Sequence, residues 1–203
     1  MLVEAAGDAG RCEMNRPLVI GIGGYTSNVG KTTLLCDLLG AFPGWEAIKT
    51  TRGHYRSCGK DPHACCVSHL LAAEPVVRSG RKATYAFGKD TGRYWEAGAA
   101  NVHWLIATDD QVEPGIHEAL SRVQAEGVFV EGNSFAQFVD VDLFVMVRRA
   151  DDAKIKKSAK QVLARADEVY VSDGELQTPL KLIERIRCLV NCVEKKGAGG
   201  AVA

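Results

Sequence analysis

Apolar residues fall into short, nearly continuous runs separated by stretches with helical spacing. Six runs read as strands: 17–23 (PLVIGIG), 45–50 (WEAIKT), 102–108 (VHWLIAT), 127–131 (GVFVE), 142–147 (DLFVMV) and 168–172 (EVYVS). Runs of this kind, with little polar alternation, belong to strands covered on both faces, as in parallel sheets. Helices are predicted over 31–39, around 95–101, over 114–125, over 151–166 and over 175–195. In the last, Leu176, Leu180, Leu182, Ile183, Ile186, Leu189, Val190 and Val193 form one stripe. Strands alternating with helices predict an α/β fold of three layers, with a mostly parallel sheet and helices on both faces. Residues 1–16 and 196–203 lack this periodicity. The pattern therefore gives a flexible N-terminal segment, one domain over 17–195 and a flexible tail.

The first strand runs straight into GYTSNVGKTT and then into a helix. A glycine-rich turn in that setting turns successive backbone N–H groups toward phosphate oxygens. The helix N-terminus adds positive potential, a lysine reaches the terminal phosphates, and the next hydroxyl ligates magnesium. Lys31 and Thr32 take those two roles, and Gly24, Thr26, Ser27, Asn28, Val29, Gly30 and Thr33 complete the expected nucleotide-binding loop. The usual motif has four residues between its glycines. Here Tyr25 stands at the first of those glycine positions, and Gly24 leaves five.

Other chemistry sits at strand ends, which in a parallel sheet face the ligand crevice. Glu131 ends the fourth of the six runs and can hold magnesium or orient an attacking group, and Gly132 behind it lets another group come close. Lys49 ends the second run and is followed by TTRGHYRS, so Lys49 and Arg52 place positive charge near the phosphates and a substrate. Asp90 and Arg93 are read in a loop leading into a helix at EAGA. There Asp90 is a second magnesium carboxylate and Arg93 a phosphate or substrate clamp. Glu96 reads as a first-turn helix acid.

The five-residue spacing resembles the loop of dethiobiotin synthetases and of cobyrinic and cobyric acid synthases. Ile48-Lys49, GKDTGRYWEAGA over 88–99 and Glu131-Gly132 resemble molybdopterin-guanine dinucleotide biosynthesis protein B. These resemblances imply a P-loop NTPase fold, with magnesium and ATP or GTP as ligands. Lys31, Lys49 and Glu131 are then the catalytic groups, and Thr32, Asp90 and Glu131 the magnesium ligands. Three activities follow: NTP hydrolysis during cofactor biosynthesis, an ATP-dependent ligase or phosphotransferase acting on a small carboxylate, or a nucleotide-gated metal or cofactor adaptor. No Asn-Lys-x-Asp guanine reader follows the last strand, where the sequence is VSDG.

An insert over about 52–86 departs from the compact molybdopterin pattern. His54, Cys58, His63, Cys65, Cys66 and His69 supply soft or imidazole ligands, and Cys58, His63 and Cys65 form the preferred transition-metal set, with zinc as the ion. A reactive thiol and plain buried cysteines are the alternatives. Cys36 reads as helix packing. Cys188 and Cys192 fall opposite the apolar stripe of their helix, which means either that a partner chain, such as a second copy in a homodimer, covers that face or that the helix boundary is shifted by a few residues.

Composition adds bounds. With 203 residues, 25 basic and 25 acidic side chains and 46% hydrophobic residues, the chain is that of a globular protein without a long-range field. Neither a nucleic-acid nor a membrane partner is expected. The first 17 residues lack a signal-peptide core, and the seven cysteines do not form a disulfide framework, so the expected compartment is the cytoplasm.

Overall fold

The computed structural model describes residues 16–54, 67–151, 154–172 and 179–198. Among these, one seven-stranded sheet is built from β1 (Leu18–Gly24), β2 (Glu46–Arg52), β3 (Val76–Ser79), β4 (Val102–Ala107), β5 (Gly127–Glu131), β6 (Leu143–Arg149) and β7 (Glu168–Ser172). Its order is β3-β4-β2-β5-β1-β6-β7. All pairings are parallel except β3 with β4. The helices are α1 (Lys31–Ala41), α2 (Arg81–Thr84), α3 (Asp90–Glu96), α4 (Val112–Ser121), α5 (Lys157–Lys160) and α6 (Leu180–Ala198). No helix among the described residues is long and apolar enough to cross a membrane.

Strand alternation divides the apolar side chains between two cores. Leu18, Ile20 and Ile22 of β1 face one way, where they meet Leu34, Leu35 and Leu38 of α1, Tyr94 of α3 and Ile183 and Ile186 of α6. Val19, Ile48, Phe144 and Met146 face the other way, toward Val112, Ile116 and Ala119 of α4 and Ala159 of α5. The result is the expected three-layer α/β arrangement, with the central strands buried on both sides, whereas the edge strand β7 exposes Val169 and Val171 on one face.

Four expectations need correction. β3 was not anticipated: it is a four-residue antiparallel edge whose side chains are all half-buried, so it carries no long apolar run. The helix expected around 95–101 lies earlier, at Asp90–Glu96. Gly98 at φ +95° turns the chain after it, and the amides of Ala97, Gly98 and Ala99 close back on Arg93, Trp95 and Tyr94. The helix expected over 151–166 shrinks to α5 and a 3₁₀ turn at Leu163–Arg165, because Lys156 is extended, its backbone N–H donating a hydrogen bond to Tyr25 O at 2.9 Å. α4 begins at Val112 and ends at Ser121 rather than running over 114–125.

The amino edge of the sheet carries a buried polar chain. Glu46 and His103, 4% and 1% exposed, meet at 2.7 Å through Nε2, and Ser79 Oγ lies 2.8 Å from His103 Nδ1. The other Glu46 oxygen accepts the Gln124 and Ala125 amides, each at 3.0 Å. Burial works to raise the Glu46 pKa. The His103 bond and the two amides outweigh it, leaving the carboxyl below its ordinary range.

Candidate functional site

The site forms at the carboxyl edge because β5 lies between β1 and β2. Ile22 and Lys49 are both in register with Glu131, so Lys49 and Glu131 are lateral neighbours on the face that α1 and α3 cover. β1 ends at Gly24 and passes into the loop. Asn28 at φ 61° and Gly30 at φ 94° turn the chain so that α1 starts at Lys31. The first amides of α1 have no intrahelical acceptor and point along the helix axis out of its N-terminus. Lys31 folds back over the loop, with Nζ 3.4 Å from Thr26 O.

Asp90, Arg93 and Tyr94 stand at helical spacing on α3 and therefore share a face. The segment leading into α3 folds tightly against it because Gly92 has no side chain; a Cβ there would lie 2.1 Å from Ala86 O. Thr32 Oγ1 is 3.1 Å from Asp90 Oδ1 and 2.9 Å from Glu131 Oε2. Lys49 Nζ spans the same two carboxylates, at 2.5 Å from Asp90 and 2.6 Å from Glu131. The Tyr94 hydroxyl, fully buried, donates to Glu131 Oε2, and Arg93 reaches Thr33 Oγ1 at 3.2 Å.

Electrostatics follow from this packing. Burial works against the charged form of Lys49, and Glu131 and Asp90 overcome it, so its pKa is raised. Burial likewise opposes the Asp90 carboxylate, and Lys49, Thr32 and Arg93 bring its pKa below the ordinary range. Lys31 is pushed down, first by burial and then by Lys49, against the pull of Glu131 and Asp90. Tyr94 is pushed well up by burial and by Glu131, which keeps its proton on as a donor.

Gly132, at φ +149°, takes a conformation that side chains avoid. The group that approaches it is Thr50, whose Oγ1 would lie 1.8 Å from a Cβ at that position and which donates to Glu131 O at 2.8 Å. One residue on, Asn133 exchanges two bonds with Gly24, accepting its amide at 2.8 Å and donating to its carbonyl at 3.0 Å. Together these groups wall a cleft of about 460 Å³, lined by Ser27, Asn28, Lys31, Thr32, Lys49, Arg52, Asp90, Glu131, Asn133 and Lys156 among others.

The cleft brings together Lys31, Thr32, Lys49, Asp90, Glu131 and Arg52; Arg52 also pairs with Asp109 at 3.1 Å. Arg93 stays beside Thr33. Asp90 and Arg93 belong to a helix rather than to the loop read from the sequence. Cys58, His63, Cys65 and Cys66 lie outside the described residues, among which no group of three His, Cys, Asp or Glu side chains is placed to hold a metal. Cys36 is half-buried against the α1 core, its thiol pushed up to about 11 by burial, while Cys188 and Cys192 are exposed. Tyr94, Asn133 and Lys156 had not been expected in the site. Only Tyr94 carried a signal, its position four residues after Asp90.

No family model matches the chain, and no curated protein matches it. Among solved structures it is similar to LpxK from Aquifex aeolicus, in a crystal structure described as the "apo" form in complex with ATP. The two are 17% identical with a TM-score of 0.49, over 80% of this chain and 50% of that one. The chain thus spans about half the length of LpxK.

Proposed function

We propose that this chain binds a magnesium–nucleoside triphosphate, ATP or GTP, and hydrolyses or transfers its terminal phosphate in cofactor biosynthesis. The molybdopterin-guanine dinucleotide biosynthesis protein B-like pattern supports the biosynthetic setting. The observation that carries the nucleotide reading is that Asp90 Oδ1 and Glu131 Oε2 each lie within 3.1 Å of Thr32 Oγ1, at the start of the helix behind the glycine-rich loop.

Those three donors are hard oxygens, two of them carboxylate, which suits a small divalent cation that keeps its remaining positions for phosphate and water. Thr32, Asp90 and Glu131 are the residues that would hold it. When bound, magnesium neutralises charge on the outer phosphates. The protein's own groups do the rest. The loop amides and the α1 N-terminus bind phosphate oxygens, and Lys31 leaves Thr26 O for the terminal phosphate. Lys49 pairs with both carboxylates and holds them in place, and Tyr94 fixes the Glu131 rotamer by donating to it.

Calorimetry with magnesium ATP and magnesium GTP tests the binding. Lys31→Met keeps the length of the side chain, removes its charge, and is expected to lower affinity at least roughly a hundredfold. Unchanged affinity in that variant would refute the assignment. Glu131→Gln is expected to bind nucleotide and release phosphate slowly. Phosphate release measured with and without small carboxylic acids separates hydrolysis from ligase chemistry.

A further inference from the structure

The cleft contains a lysine that the phosphate-loop reading leaves without a task. Lys156 lies just before α5, on the wall opposite α3, and its position is fixed by the loop itself. Its amide donates to Tyr25 O at 2.9 Å, and Asn133, which holds Gly24 from both sides, reaches Ser158 Oγ at 3.5 Å. The wall that carries Lys156 is thereby tied to the first residues of the phosphate loop.

The other cations of the cleft have partners. Lys49 is matched by Asp90 and Glu131, and Arg52 by Asp109. Lys31 has the Thr26 carbonyl. The Lys156 ammonium makes no hydrogen bond or ion pair among the described residues, although its side chain is half-buried and lines the same cleft as Lys31. Burial, then Lys31, Arg52 and Lys49, push its pKa down to about 8 against the pull of Glu131. Two ammonium groups facing one cleft across a tied wall repel each other until an anion lies between them.

Building on the nucleotide reading above, we infer that Lys156 is a second ligand of the terminal phosphate, placed across from Lys31. The phosphoryl group that leaves the nucleotide is then held between two lysines, one from the loop and one from the β6–α5 connection. This is the place where a cation contributes most as charge spreads over the equatorial oxygens. The ligand recognised is the γ-phosphate of a nucleoside triphosphate, so a diphosphate does not reach Lys156.

The test compares magnesium ATP with magnesium ADP, and magnesium GTP with magnesium GDP, on the full chain and on Lys156→Gln and Lys156→Arg. Lys156→Gln is expected to weaken triphosphate binding about tenfold while changing diphosphate affinity less than about twofold. Lys156→Arg is expected to restore most of the discrimination. Normal diphosphate binding shows that the variant is folded. Wild-type discrimination in Lys156→Gln overturns the inference, and so does an equal loss for both nucleotides, which would place the side chain at the loop or the inner phosphates. If the unmodified chain binds neither triphosphate, the nucleotide reading itself fails. If it binds in a Lys31-dependent way and Lys156→Gln discriminates normally, only the role of Lys156 fails.

Discussion

Replacing Lys49 by Met removes one charge from the centre of the cluster while keeping the side chain's length and its apolar stem. The ammonium lies 2.5 Å from Asp90 and 2.6 Å from Glu131, and the Glu131 side chain is only 2% exposed. Breaking a buried ion pair by removing one partner costs about 3–5 kcal/mol, because the other charge stays buried. Here Glu131 keeps hydroxyl donors from Thr32 and Tyr94, and Asp90 is 42% exposed, so the lower end applies, about 3 kcal/mol. At roughly 2–4 °C per kcal/mol for a chain of this size, the Tm in chelator falls by about 6–12 °C. Magnesium should reverse much of this. With the lysine gone, the two carboxylates have no competing cation, and an ion at about a hundredfold its Kd adds about 2.7 kcal/mol. Thermal melts in chelator and in magnesium, on both proteins, provide the assay. An unchanged Tm in chelator, or the same magnesium gain in both proteins, would refute the reasoning.

Acid provides a second check on the same pair. The Asp90 pKa is lowered in the fold, so its contribution is fully present above about 3.9 and is lost as pH falls through its lower native value. Below pH 4 the wild type should therefore lose part of its advantage over Lys49→Met in urea titrations. Gly132→Ala should cost at least about 3 kcal/mol, since φ is +149° and Thr50 Oγ1 lies 1.8 Å from the new Cβ; denaturant midpoints measure it. Glu46→Ala should cost about 3–5 kcal/mol by leaving His103 and two amides without their acceptor, with nucleotide affinity per folded molecule unchanged. Lys31→Met should raise the unliganded Tm even as it loses nucleotide, which thermal melts without ligand check. Burial lowers the Lys31 pKa, so its charge is a burden on the empty fold.

The central parallel strands were legible because burial on both faces leaves short, continuous apolar runs, whereas β7, exposed on one face, shows alternation instead. The glycine-rich loop between β1 and α1 was legible because its signal is local: strand, glycines, Lys31, Thr32 and helix are consecutive. β3 was not, since a half-buried edge strand of four residues has neither a run nor an alternation long enough to read. α3 was misplaced because Thr91 and Gly92 weaken helix propensity, whereas tertiary packing against Ala86 and Thr33 decides the outcome. That error hid Tyr94: once Asp90 begins a helix, Tyr94 must share its face. Asn133 was hidden for another reason. Its partner Gly24 is 109 residues away, and only the β1–β5 pairing brings the two together.

Lys156 shows most clearly what composition conceals. In the sequence it stands in KIKK, a run with the pattern of a solvated surface, and the chain as a whole has no net charge. In the fold the cleft is lined by four cationic side chains, Lys31, Lys49, Arg52 and Lys156, and by two carboxylates, Asp90 and Glu131. Lys49 is matched by those carboxylates, whereas Lys31 has only a carbonyl and Lys156 has no partner among the described residues. A neutral protein therefore presents a locally positive cleft, and the excess sits on Lys31 and Lys156, which both line it. Because Lys49 already holds the carboxylates when the cleft is empty, an incoming anion meets Lys31 and Lys156 first. On the proposed function, the cluster around Glu131 maintains the geometry of the site, and the unmatched lysines would supply its attraction for phosphate.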